Sequence, residues 1–231
     1  MKKQWLESVR EIYRERYAAV YPSLYLSPWR KKHRVNNANL IRILDGLQRP
    51  LPQWLDLACG QAWHFSWFPG RAKMLGIDIS EAQLARARIN APAATFRCED
   101  MTEVRFPKAS FDLITNFWAG YCYLNSREEI SNWFRSVVDW ISPGGALYTE
   151  VLLGEDVVRF NGSGYAALFG FSASPRSDDF TDWEYNDSGG KHILTSPPLQ
   201  GFLDIVSPKF SSVEARHDGT FMVHLIATGR K

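Results

Sequence analysis

The stretch LDLACGQAWH, residues 55–64, decides the fold. It begins as a short apolar strand, carries an acid at Asp56, and runs into a turn of small residues in which only Gly60 is a glycine. A small-residue turn at the carboxyl end of a buried parallel strand is typical of proteins that bind a nucleotide-like ligand, because backbone amides can approach the ligand closely there. The stretch therefore predicts an α/β fold with a ligand site at this turn.

Short apolar runs alternate with helical stretches after this turn. The runs predict strands at 54–57, 73–77, 95–98, 111–115, 145–151, 212–215 and 220–229. Helices are predicted at 81–90, 127–140 and 199–206, with a short one after Ala62, and Ser80 and Ser126 are the N-caps of the first two. Such alternation is the pattern of a Rossmann-like, mostly parallel sheet covered by helices on both faces.

Three acids mark the predicted strand ends. Asp56, Asp78 and Asp100 are spaced 22 residues apart, one strand–helix unit each. Because ligands of open parallel sheets lie outside the carboxyl ends of the strands, we expect the three carboxylates to line one crevice. An acid at the position of Asp78 is suited to accept hydrogen bonds from both hydroxyls of a ribose.

Two segments fall outside the alternation. Before it, Trp5, Val9, Tyr13 and Tyr17 recur every four residues and predict a helix with an aromatic stripe, and NNANLIRILDGL at 36–47 predicts a second helix. The basic run WRKKHR at 29–34 is interpreted as a solvated link between them, with contact to an anionic ligand or phosphate as the alternative. After it, residues 154–191 have no sustained period and predict a long loop of a functional or mobile kind.

Composition indicates one ordinary globular domain. The chain has 231 residues, of which 45% are apolar and 23% charged, and its net charge of +2 argues against a nucleic-acid surface. Its three cysteines lack the spacing of disulfide or zinc sites, which favours a reducing compartment. A charged N-terminal segment and the lack of a long apolar run lead us to expect a cytoplasmic protein without membrane association.

Five motifs together resemble the class I S-adenosylmethionine-dependent methyltransferases. They are LDLACG at 55–60, GIDIS at 76–80, EDM at 99–101, FDLI at 111–114 followed by NFWAGYCYL, and ISPGGALYTE at 141–150. The order and spacing are those of the family, and the match covers residues 54–153. The chain is similar to the small-molecule subset, which implies one domain made of a helical cap at 1–50, a cofactor-binding core at 51–153, a substrate lid inserted at 154–191, and a C-terminal helix and strands at 192–231.

The resemblance implies roles for residues at the strand ends. Asp56 and the turn would face the methionine part of the cofactor, Asp78 the ribose, Ile79 the adenine face, and Asp100 and the Met101 amide the adenine edge. The full set of expected S-adenosylmethionine contacts is Asp56, Ala58, Cys59, Gly60, Asp78, Ile79, Asp100, Met101, Asn116 and Phe117. The family turn usually has glycine where this chain has Ala58 and Ala62, so we expect a retained turn with altered packing.

The chemistry asks for alignment more than for side-chain catalysis, since a sulfonium methyl is already activated. A general base would help a phenol or a protonated amine, and the candidates are His192, His33 and His64. Aromatic residues in the covering loops predict either lid core or a pocket for a flat or apolar acceptor, and they are Trp118, Tyr121, Tyr123, Phe180, Trp183 and Tyr185.

Two acceptor classes are disfavoured. Asn116 is not followed by the two prolines of nucleic-acid amino methyltransferases, and no second acid stands beside it to complete a metal site. The sequence therefore predicts methyl transfer to an oxygen or nitrogen of a small molecule, without metal, by a monomer or homodimer. Two alternatives stay open: a cofactor-binding protein of this fold that catalyses a rearrangement or cyclisation, and a catalytically silent binding module.

Overall fold

A seven-stranded sheet carries the strand ends that the sequence singles out. The computed structural model describes residues 9–217, 219 and 221–231. The sheet has the order β3-β2-β1-β4-β5-β10-β9. Strands β1 to β5 run parallel, and β10 is antiparallel to both β5 and β9. Its members are β1 Gln53–Leu57, β2 Lys73–Asp78, β3 Thr95–Cys98, β4 Phe111–Asn116, β5 Ile141–Val151, β9 Phe210–Arg216 and β10 Val223–Arg230. The predicted Rossmann-like fold is confirmed.

The described α-helices are α1 Glu15–Tyr21, α2 Arg30–Gly46, α3 Glu81–Asn90, α4 Arg127–Asp139, α5 Gly154–Asn161, α6 Gly164–Phe169 and α7 Leu199–Val206. Of these, α2, α3, α4 and α7 cover the two faces of the seven-stranded sheet. Side chains of the predicted caps start two of them: Ser80 Oγ accepts from the Gln83 amide at 3.2 Å and Ser126 Oγ from the Glu129 amide at 3.1 Å. Within the described residues, no helix combines the length and apolar character needed to cross a membrane.

Two apolar clusters hold the layers together. In β1 and β4, Trp54 and Leu113 pack with α2 and α3 on one face, while Leu55 and Ile114 pack with α4 and α7 on the other. All six residues of β4 are buried, as expected for a central parallel strand covered on both faces. This packing fixes the strand ends along one edge of the sheet.

The N-terminal segment differs from its prediction in two ways. Residues 9–12 are helical, a turn follows at 13–14, and α1 begins only at Glu15, so the predicted helix is interrupted; Trp5 lies outside the described residues. The interpretation of WRKKHR as a solvated link is wrong, because α2 begins at Arg30 and buries Lys32 and His33. A run of charged residues predicts solvent exposure only when the fold does not bury an oppositely charged partner for one of them, as Glu150 is for Lys32.

The predicted long loop at 154–191 is regular structure instead. It contains α5 and α6 and a separate antiparallel sheet, β6 Ser172–Pro175, β7 Asp182–Asp187 and β8 Gly190–Thr195, in that order. β8 extends past the expected boundary at 191. These strands were missed because they are short and half-exposed, so neither face shows a clean apolar alternation. The short helix expected after Ala62 is a single 3₁₀ turn, Phe65–Trp67.

Candidate active site

The turn after β1 has the backbone conformation of a glycine-rich turn. Ala58, Gly60 and Ala62 have φ values of 56°, 52° and 55°, all in the left-handed region. An L-residue with a Cβ adopts that region at a cost of about 1–2 kcal/mol. The turn is held by the Cys59 amide donating to the Ile77 carbonyl at 3.0 Å. The two alanines therefore keep the shape of the turn without the usual glycines.

Asp78 joins this turn to the next strand. The Gly60 amide donates to Asp78 Oδ2 at 2.8 Å and the Ser80 amide to Oδ1 at 2.9 Å. Burial raises the pKa of this carboxyl, and backbone amides of Ser80, Gly60 and Ile79 oppose that rise. The carboxylate thus sits at the end of β2, locked in orientation, with lone pairs still available for a ligand.

Asp100 carries an unpartnered acceptor. Its Oδ1 accepts from the backbone amide and the hydroxyl of Thr102, both at 2.8 Å. Its Oδ2 is buried and makes no hydrogen bond within the described residues. A buried polar atom without a partner is costly in a native protein, so this oxygen indicates a donor supplied by a ligand.

These groups share a cleft of about 800 Å³, here called the strand-end cleft. Seven of the residues expected to contact cofactor line it, namely Ala58, Gly60, Asp78, Ile79, Asp100, Met101 and Phe117. Tyr13, whose helical stripe could add to the acceptor pocket or pack in the core by the sequence pattern, lines the cleft as well. Sequence reasoning missed Gln83, whose buried side-chain amide has no partner among the described residues, and the lining residue Tyr21. Only the four-residue spacing of tyrosines before residue 26 could have signalled the latter.

Three expected cofactor contacts lie behind the cleft wall. Asp56 Oδ1 accepts from Thr115 Oγ1 at 2.6 Å, and burial raises the pKa of Asp56 to about 8 despite that bond. Cys59 packs against Gly76, where an added Cβ would come within 2.7 Å of its sulfur. Asn116 donates to the Leu57 carbonyl at 2.7 Å. In this structure they brace the strand ends instead of facing the cleft.

A second cleft of about 880 Å³, the aromatic cleft, lies between the N-terminal segment and the inserted sheet. Four of the expected acceptor residues line it: Trp118, Tyr123, Trp183 and Tyr185. Two do not. Tyr121 is fully buried against Phe202 and its hydroxyl accepts from the Leu152 amide at 3.1 Å, while Phe180 packs beside Gly154. The strand-end and aromatic clefts share Tyr13, Tyr21, Trp118 and Tyr123 in their walls, so they adjoin.

A buried ion pair lies beside the aromatic cleft. Lys32 Nζ pairs with Glu150 and sits 4.1 Å from the Trp118 ring centre, and the Trp118 amide donates to Glu150 Oε2 at 2.7 Å. Burial alone would raise the pKa of Glu150, but Lys32 and His224 lower it to about 2. The pair fixes the loop after β4 against α2. No local signal in the sequence distinguishes Lys32 from its exposed neighbour Lys31.

The three candidate histidines occupy different environments. His33 and His64 are buried near each other, with ring centres 5.7 Å apart. Burial and then Lys32 lower the pKa of His33 to about 4, and burial and then His33 lower that of His64 well below its usual value. His192 lies on β8, 2% exposed, between Tyr123 and Asp187. Among the described contacts of these three side chains, only that of His192 is a hydrogen bond to a residue that lines both clefts, Tyr123.

Comparison with known proteins agrees with this geometry. Residues 55–145 match a family described as a methyltransferase domain. A dTDP-3-amino-3,4,6-trideoxy-alpha-D-glucopyranose N,N-dimethyltransferase of Streptomyces venezuelae is 29% identical over 140 residues, 60% of this chain and 58% of that relative. The alignment thus spans less than two thirds of the relative's length.

Two solved structures share the fold over nearly the whole chain. One is the S-adenosylmethionine-bound amino pentose methyltransferase CalS10 of Micromonospora echinaspora, with a TM-score of 0.64, 18% identity, and coverage of 91% of this chain and 96% of CalS10. The other is the PH0226 protein of Pyrococcus horikoshii, with a TM-score of 0.69, 17% identity, and coverage of 94% and 100% respectively. The strand order and the cleft at the strand ends agree with the match of residues 55–145 to a methyltransferase domain.

Proposed function

We propose that this protein transfers the methyl group of S-adenosylmethionine to the nitrogen of a small amine, of which an amino sugar is our first candidate. The observation that carries the proposal is the joining of two clefts through a common wall of Tyr13, Tyr21, Trp118 and Tyr123. One cleft has the groups for the cofactor and the other has room for an acceptor. Methyl transfer requires the two reactants to meet at such a junction.

The residues of the strand-end cleft fit the cofactor. Asp78 would accept from the ribose hydroxyls, the unpartnered Oδ2 of Asp100 from the adenine amino group, and the turn around Gly60 would hold the methionine part. When bound, S-adenosylmethionine supplies a methyl group on a positively charged sulfur, already activated for displacement. The protein's own contribution is therefore to align the acceptor and to exclude water.

The walls of the aromatic cleft suit an amine. The aromatic cleft is lined by the rings of Tyr13, Tyr21, Tyr25 and Tyr185. The faces of these rings attract an ammonium group by the cation–π interaction, and their hydroxyls can form hydrogen bonds with other polar groups of an acceptor. Support for nitrogen comes from the relatives, since one acts as an N,N-dimethyltransferase and another is described as an amino pentose methyltransferase.

The test is a methylation assay with matched acceptors. Purified protein is incubated with S-adenosylmethionine and dTDP-linked 3-amino sugars, free amino sugars, and the same sugars with a hydroxyl in place of the amine. We expect products heavier by one or two methyl groups only where the amine is present. Methylation of the hydroxyl compounds alone would contradict a nitrogen acceptor. An altered product of unchanged mass would favour the rearrangement alternative, and no product with any acceptor would favour the silent binding module.

Cofactor binding is tested separately through Asp100. Asp100→Asn keeps the Oδ1 bonds to Thr102 but replaces the unpartnered acceptor with a donor, so we expect affinity for S-adenosylhomocysteine to fall about 10- to 100-fold. Glu103→Gln, the same change at an exposed carboxyl three residues on, is the control and should bind as the parent does. Equal affinity of Asp100→Asn and parent in calorimetric titration would remove Asp100 from the site.

A further inference from the structure

We infer that a hydrogen-bonded chain, Asp187–His192–Tyr123–Tyr13, takes the proton from the acceptor amine before methyl transfer. This inference rests on the proposed function. The contacts run in sequence: His192 Nε2 to Asp187 Oδ1 at 3.1 Å, His192 Nδ1 to Tyr123 Oη at 2.7 Å, and Tyr123 Oη to Tyr13 Oη at 2.9 Å. This chain of hydrogen bonds begins in the inserted sheet and ends at the wall shared by both clefts.

The direction of the hydrogen bonds follows from Asp187. Its carboxylate accepts from the Gly189 amide at 2.7 Å and from the hydroxyls of Tyr17 and Tyr25. Burial alone would raise the pKa of Asp187, but hydrogen bonds from His192 and from the hydroxyls of Tyr17 and Tyr25 lower that pKa, so the group is an ionised acceptor. His192 must then donate from Nε2, which leaves Nδ1 to accept from Tyr123 Oη. Tyr123 Oη in turn accepts from Tyr13.

The acceptor meets Tyr13, not His192. His192 is 2% exposed and lies behind Tyr123, while both tyrosines line the aromatic cleft. Burial raises the pKa of both phenols well above the usual value, so neither phenol holds a negative charge near neutral pH. They can still pass a proton along. His192, an imidazole beside a carboxylate, is the member of the chain that can keep it.

The proton balance is complete. A bound ammonium group gives one proton to Tyr13 Oη, while the proton of Tyr13 moves to Tyr123 and that of Tyr123 to His192 Nδ1. Both phenols end neutral and His192 ends positively charged beside Asp187. The freed nitrogen then forms its bond to the methyl carbon as the carbon–sulfur bond breaks, and that electron pair stays on sulfur. The groups around His192 are the phenols of Tyr13, Tyr123 and Tyr185 and the Asp187 carboxylate.

Tyr13 is thus assigned as the residue in contact with the acceptor, and Tyr123, His192 and Asp187 as the groups that move and hold its proton. The variants are Tyr123→Phe and His192→Gln. Tyr165→Phe is the control, because the Tyr165 hydroxyl donates to the Leu24 carbonyl and takes no part in the hydrogen-bonded chain from Asp187 to Tyr13. Rates are measured against pH on the amine that the parent methylates, with S-adenosylhomocysteine affinity measured alongside. A general base contributes about 10² in rate or more, so we expect about a 100-fold lower kcat near pH 7 for the first two variants.

The pH profile separates proton transfer from a structural role. As pH approaches about 9 to 10, the amine loses its proton to water and the deficit of both variants should shrink. Cofactor affinity should be unchanged in all three variants. A deficit that is constant with pH, or rates within threefold of the parent near pH 7, would overturn the inference.

A second measurement does not depend on turnover. ¹⁵N NMR of the S-adenosylhomocysteine complex reports which nitrogen of His192 carries hydrogen. We expect the hydrogen on Nε2. In Tyr123→Phe we expect the Nδ1 signal to shift, because Nδ1 loses its hydrogen bond from Tyr123. Hydrogen on Nδ1, or no shift in the variant, would overturn the chain even if the protein methylates amines. If no amine is methylated, the proposed function fails and these NMR outcomes alone decide whether the chain of hydrogen bonds exists.

Discussion

At the scale of single residues, the turn after β1 shows how alanine replaces glycine. Ala58 lies in the left-handed region with its methyl group facing Gly120. A Cβ added to Gly120 would come 2.8 Å from Ala58 Cβ and 3.1 Å from Asn116 Nδ2. The alanine in one loop is therefore accommodated by the glycine in another, and the two positions are coupled.

We expect Gly120→Ala to lower the free energy of unfolding by about 1–3 kcal/mol, because the added methyl overpacks this contact. Adding Ala58→Gly removes one of the two clashing methyls, so the double variant should lose about 1 kcal/mol less than the sum of the single changes. Urea unfolding of the four proteins measures this. Gly201→Ala is the control, since nothing lies within 4 Å of its added Cβ. Additive losses would show that Ala58 and Gly120 act independently.

At the scale of elements, α2 joins the sheet to the aromatic cleft through buried polar side chains. Asn36 donates to Glu150 Oε1 at 2.9 Å and Asn39 to Tyr148 Oη at 3.1 Å, while Lys32 pairs with Glu150. All of these α2 side chains are buried. These contacts hold α2 in a fixed register against β5. They also fix the part of the aromatic cleft wall that α2 contributes.

Lys32→Met should destabilise the protein by about 3–5 kcal/mol, because it leaves the Glu150 carboxylate buried without its cation. The sulfur-containing side chain retains most of the volume. Lys31→Met makes the same change at the exposed neighbouring residue and should stay within about 0.5 kcal/mol of the parent. Denaturant unfolding compares the two. Similar losses of unfolding free energy in both variants would mean that burial of the Glu150 carboxylate does not require its ion pair with Lys32.

At the scale of the whole molecule, buried neutral histidines couple folding to pH. The folded-state pKa of His33, about 4, lies below its ordinary value of 6.5. Between these values the unfolded chain binds a proton that the folded chain does not, so stability decreases as pH falls from 6.5 towards 4. His64 acts in the same direction. The raised pKa of Asp56, about 8, has the opposite effect and increases stability as pH falls.

We expect His33→Gln to flatten this pH dependence. The contribution of His33 over the interval amounts to at most about 3 kcal/mol, because each unit of pKa shift corresponds to about 1.4 kcal/mol. The free energy of unfolding is measured from pH 7 to pH 4.5 for parent and variant, so that the contribution of Asp56 cancels in the difference. Parallel curves would show that His33 titrates alike in both states.

Local patterns in the chain were enough to predict the sheet, the caps Ser80 and Ser126, and the cluster of Asp78 and Asp100 at one edge. These depend on strand alternation, turn residues and the strand–helix repeat, which act over a few tens of residues. The same patterns failed for the lid, where β7 and β8 are short and half-exposed, and for Lys32, whose exposed neighbour is also a lysine.

Only the tertiary structure brings the acceptor side together. Tyr13, Tyr123, Asp187 and His192 come from the N-terminal segment, the loop after β4 and the inserted sheet, and Tyr13 is 179 positions from His192 in the sequence. The same long-range packing turns Asp56 and Asn116 away from the cleft that their positions at strand ends suggest. Sequence periodicity reports which face of an element is buried, but which groups from distant segments meet there depends on how the layers pack.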